Sequence, residues 1–118
     1  MDPESPSQIE GLLAAATIAH EAIFDLGRRL TEVGVAGAPT QALVDESARI
    51  AMIEMPGFAT GARELRARWD EERVLDLPRA IQTRRELLRE EKRIEPLMEA
   101  SLDRLREIAT AMRGLLVP

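Results

Sequence analysis

Apolar residues fall at Ile9, Leu12, Ala16, Ala19, Ile23, Leu26, Leu30 and Val33, in alternating steps of three and four. That period places them on one face of a helix, in the pattern of a left-handed helix-pair seam. The stretch Ser5-Pro6-Ser7-Gln8 ahead of it reads as a capping box, with Ser5 as N-cap, Pro6 at N1 and Gln8 at N3. Gly34 stands where a helix-ending glycine belongs. The pattern predicts a helix over residues 6–33, about 42 Å long at ~1.5 Å per residue.

A second seam closes the chain. Met98, Leu102, Leu105, Ala109, Met112 and Leu116 step by four, three, four, three, four. A helical pattern runs from Pro78 to Arg113, with Gly114 as its stop. Pro96 lies inside it, and an interior proline costs about 3 kcal/mol. A helix over 78–113 is therefore predicted, kinked or broken near residues 93–95.

Shorter elements fill the middle. After the Gly/Pro-punctuated VAGAPT, Thr40 caps a second helix whose stripe is Val44, Ala48, Ala51 and Met55. Met55-Pro56-Gly57 reads as its stop. Thr60 caps a third helix, where Ala62, Leu65 and Trp69 continue the face begun by Phe58. The sum is an all-α fold: one domain over 1–118, a bundle of four to five helices with two long terminal ones, and a disordered tail at 1–5. The two seams pack against each other, and any seam left over would serve a partner or a second copy.

Composition narrows the picture. The 118 residues are 45% hydrophobic and 31% charged, a globular balance. Phe24, Phe58 and Trp69 are the only aromatics, so core volume comes from Leu, Ile, Val, Met and Ala. With no cysteine there is no disulfide, thiol nucleophile or thiolate metal site. No basic leader opens the chain and no apolar run reaches the ~18–20 residues of a membrane span. The protein reads as cytoplasmic.

The net charge is −5, and residues 1–60 hold three arginines against nine acids. This acidic excess argues against a general nucleic-acid binder. One basic stretch stands out: Arg63, Arg66, Arg68 and Arg73, on the second of two short helices around MPGF. It allows a helix-turn-helix reading of residues 40–73 for DNA binding.

Three kinds of chemistry are left to weigh. Glu91, Glu95, Glu99, Asp103 and Glu107 step by four along the last helix. Like charges at that spacing cost ~0.2–0.5 kcal/mol per pair. The plain reading is a wet face offset by Lys92, Arg93, Arg104 and Arg106. However, Glu91 and Glu95 project onto the arc of Leu88, Met98 and Leu102, where unpaired burial is costly. Either Pro96 resets the helical phase, the favoured expectation, or an arginine or a metal meets them. In the metal case Glu91, Glu95 and Glu99 would be ligands for Mg²⁺ or Mn²⁺ in a carboxylate-rich enzyme or metal binder.

The single histidine, His20, lies beside the first seam, the layout of a phosphorelay acceptor. It is followed by Glu21-Ala22-Ile23-Phe24 rather than by the Lys and Gly of phosphotransfer domains. One histidine excludes a histidine-pair zinc site. No G-x-S-x-G and no phosphate-binding glycine loop occurs. No catalytic constellation, cofactor site or metal site is assigned.

The favoured expectation is a small acidic interaction module that works by helix packing, in an adaptor, chaperone-like or oligomerisation role, and is a homodimer. Its interface would use the seam edges Ile9, Leu12, Leu30, Met98, Leu105 and Met112, with Arg85 and Arg89 as rim charges.

Overall fold

The computed structural model describes residues 8–35, 37–72 and 78–116. Among these every element is helical. α1 is Gln8–Glu32. α2 spans residues 38–72 as one uninterrupted helix built of Ala38–Arg49, a π-helical turn Ile50–Glu54, and Met55–Glu72. α3 is Pro78–Leu116, 39 residues. The architecture of the described residues is all-α with three helices, not the four to five expected.

Two sequence expectations fail for related reasons. Met55-Pro56-Gly57 does not end a helix. Immediately before Pro56 the Met55 N–H bonds the Ile50 carbonyl, an i→i−5 pairing. The wider turn accommodates the proline ring and lets the helix continue. Residues 40–72 therefore form one helix, and no helix-turn-helix is made. Pro96 likewise does not break α3. It lies on the solvent face, so the Lys92 carbonyl that an N–H at position 96 would have met stays within reach of water.

Helix ends follow local chemistry more closely. Gly34 adopts φ +76°. The Val35 N–H bonds the Leu30 carbonyl at 2.9 Å and the Gly34 N–H bonds that of Thr31 at 3.1 Å, a full Schellman closure. α2 starts two residues before the expected Thr40 cap: extended Gly37 is the N-cap and Pro39 sits in the first turn. Thr40 is instead buried inside the helix. Gly114 does not stop α3, which runs on to Leu116. The Ser5 cap, the tail at 1–5 and the turn preceding Pro78 lie outside the described residues.

The three helices make an up-down-up rod of 65 × 20 × 15 Å. Glu10, Arg63, Arg66 and Glu91 meet at one end. At the other, a Cβ on Gly27 would lie 3.0 Å from Val44 and 3.6 Å from Met112. So α1 and α3 run parallel, with α2 antiparallel to both. Both seams point inward: Ile9, Ala16, Ile23, Leu26 and Leu30 meet Met98, Leu102, Leu105, Ala109 and Met112 in one core. Met55, Ala59 and Ala62 of α2 complete it. Val33, the last seam position of α1, is exposed.

Candidate functional site

The carboxylate ridge divides in two. Glu99, Asp103 and Glu107 are exposed. Glu91 is buried, with a side chain only 3% accessible, and Glu95 is half-buried. Because α3 is continuous, its phase is not reset at Pro96 and Glu91 stays on the core arc. Of the alternatives open in the sequence, an arginine is what meets it. Arg66 Nη2 donates to Glu91 Oε1 at 3.1 Å. The Arg66 guanidinium also lies 5.7 Å from the Trp69 ring centroid, within cation–π range.

One helical turn away, Arg63 grips Glu10 with Nε and Nη2, at 2.8 and 3.0 Å. The two pairs border a cleft of about 250 Å³ floored by Ile9, Ala62 and Ala67, with Asp70 at its edge. Both arginines are thus committed to carboxylates of the same chain. The Trp69 Nε1–H is buried and finds no acceptor among the described residues.

No group of three metal-ligating side chains occurs among the described residues. Glu91, Glu95 and Glu99 run from buried to exposed along one helix, and the first is bound by Arg66. The structure does not assemble them as a ligand set.

His20 is half-buried between α1 and α2, its Nδ1 3.2 Å from Ser47 Oγ. The Ser47 hydroxyl donates its one proton to the Val44 carbonyl at 2.8 Å. The contact with His20 therefore needs the imidazole to donate from Nδ1. Ser47 is fully buried, so this polar pair ties α1 to α2 inside an otherwise apolar contact.

A second inter-helix clamp joins α2 to α3. Arg104 holds Glu46 through Nε and Nη2, the latter at 2.9 Å, and reaches Glu107 at 3.3 Å. The Arg104 hydrogen bonds hold the Glu46 carboxyl below the ordinary carboxylate range, against a smaller opposing effect of burial. A lowered folded-state pKa means the pair stabilises the fold above the unfolded carboxylate pKa. That contribution is lost as pH falls from about 4.5 through the lowered value. In acid titration of the melting temperature, Glu46→Gln is expected to start lower than wild type and converge with it as pH drops. Parallel curves would show that the pair is not formed.

Of the expected interface residues, Ile9, Leu30, Met98, Leu105 and Met112 are buried in the chain's own core and Leu12 is half-buried. Arg85 and Arg89 are exposed. What sequence reading passed over is the apolar surface left outside: Ile18 is 68% exposed, Phe24 61%, Met52 67% and Ile53 68%. Ile18 and Phe24 lie off the α1 seam, and that was the available signal. Met52 and Ile53 lie in the π-helical turn Ile50–Glu54, and they too lie off the stripe of Val44, Ala48, Ala51 and Met55. Phe24 overhangs a groove of about 260 Å³ between the end of α1 and the start of α2, lined by Gly27, Thr31, Thr40 and Val44.

No helix among the described residues is long and apolar enough to cross a membrane. The sequence matches no protein-family model, and comparison with curated proteins and with solved structures gives no match.

Proposed function

We propose that this chain is a helical interaction module that binds another protein through the outer surfaces of its bundle. The observation that carries the reading is the set of large apolar side chains at Ile18, Phe24, Met52 and Ile53, each more than 60% exposed. Internal packing already uses both seams, so these residues add nothing to the core. Exposed aromatic and methionine side chains beside shallow grooves are the usual anchors of helix-mediated contacts. The arginines that could serve catalysis or anion binding, Arg63, Arg66 and Arg104, are engaged by carboxylates of the chain itself.

The test compares wild type with a Phe24→Ser, Ile53→Ser variant, each carried as the whole chain in the source cell and cross-linked there. The expected outcome is a stoichiometric cross-linked protein that the variant loses while its helical content and melting temperature are kept. An identical set of cross-links from both proteins would overturn the reading.

A further inference from the structure

We infer that the solvent face of α3 is a self-complementary antiparallel interface, and that its occupant is a second copy of this chain. This goes beyond the interaction-module reading, since it concerns a different face of the bundle. That face reads Arg85, Arg89, Lys92, Pro96, Glu99, Asp103 and Glu107, in steps of four, three, four, three, four and four, and every one of these residues is exposed. It is a second stripe on the same helix, opposite the core seam. Its first half is basic and its second half acidic, with Pro96 between them.

The two halves are matched in register. Arg85 and Glu107 lie eleven residues either side of Pro96, Arg89 and Asp103 seven, and Arg93 and Glu99 three. Two copies of α3 laid antiparallel about a two-fold axis at Pro96 bring Arg85, Arg89 and Arg93, which flanks the stripe, level with Glu107, Asp103 and Glu99 of the other copy, while Lys92 comes level with Ala100. Every pair then occurs twice, as an isologous interface requires. Ala100 and Leu97, the latter half exposed, supply small and apolar surface at the centre.

Within one chain these charges are poorly matched. Arg85, Arg89, Lys92 and Arg93 form no ion pair among the described residues. Asp103 has only the exposed Arg106 one turn away, at 3.6 Å, and Glu107 shares Arg104, at 3.3 Å, with Glu46. Such pairs are worth little and are easily exchanged. A continuous α3 is essential, because a break at Pro96 would destroy the register.

The shape of the chain leaves room for such a contact. Its accessible surface is 7582 Å², against about 6,400 Å² for a compact monomer of this mass. That excess is the surface of an elongated rod; a stable interface buries ~800 Å² per partner. Because the flanking contacts are ionic and exposed, association weakens with salt.

The test is absolute mass by light scattering across protein and salt concentration. Wild type should reach twice the 13.1 kDa chain mass at low salt and fall toward one chain mass as salt rises. The triple variant Arg85→Glu, Arg89→Glu, Arg93→Glu should be monomeric, as should Glu99→Arg, Asp103→Arg, Glu107→Arg. Mixing the two should restore the double mass, since each now meets its opposite. That rescue also demonstrates that both variants fold. A wild type monomeric at low salt, or a dimer indifferent to both triple variants, overturns the inference. If cross-linking through Phe24 and Ile53 survives that result, the interaction-module reading stands without it.

Discussion

Arg66→Ala is expected to destabilise the protein by about 3–5 kcal/mol, the cost of leaving a buried charge without its partner. Glu91 is the reason. Its side chain is 3% accessible and its counter-charge is Arg66; removing the guanidinium leaves the carboxylate in a cleft floored by Ile9, Ala62 and Ala67, where the neighbouring Arg63 is already held by Glu10. The reverse change, Glu91→Ala, should cost less. Arg66 is 22% accessible, so its freed guanidinium can reach water and keeps the Trp69 ring beside it. Replacing both partners, as Arg66→Met with Glu91→Leu, should be close to neutral or stabilising, because neither charge then has to be desolvated. Urea denaturation with an unchanged m-value separates the three variants. An Arg66→Ala loss no larger than that of Glu91→Ala would mean that the Glu91 carboxylate is hydrated in the folded protein.

Leu105→Ala should cost about 2–5 kcal/mol, the range for emptying a buried leucine site. Leu105 is fully buried where α1, α2 and α3 converge, and the loss is a large part of the 5–15 kcal/mol typical of a whole domain. The same substitution discriminates between two roles for the seam. A core leucine lowers the monomer's melting temperature at every protein concentration. An interface leucine would instead change solution mass and make the melting temperature concentration-dependent. The core outcome is expected, since Leu105 belongs to the same buried cluster as Ile23 and Leu30 of its own chain.

The two long helices and their inward faces were legible from residue spacing. Seam periodicity is a property of local sequence, and seven of the eight α1 positions face inward, with Val33 the exception. Gly34 could be read because a left-handed residue at a helix end is a local demand that glycine meets most cheaply. The helix count could not be read the same way. Proline at 56 and at 96 carries the same local cost, and in both places neighbouring structure absorbs it: a π-helical turn in one case, a solvent-facing carbonyl in the other.

Glu91 shows the limit most clearly. Spacing alone placed it on the apolar arc and posed three answers: a phase reset, an arginine or a metal. Choosing among them required knowing which residue of a different helix lies opposite, and Arg66 is 25 positions away in the chain. Likewise the sequence contained Ile18, Phe24, Met52 and Ile53, but only the packed bundle decided that they are left outside. Local sequence by itself determined the helical class, the two seams, the Gly34 terminus and the charge pattern about Pro96. Only the tertiary structure decided that both seams are spent within one chain, that α3 runs unbroken, and that the ridge splits into one buried ion pair and one exposed face. The physical reason is that propensity and periodicity act within a few residues. Burial, by contrast, is settled by which helices meet.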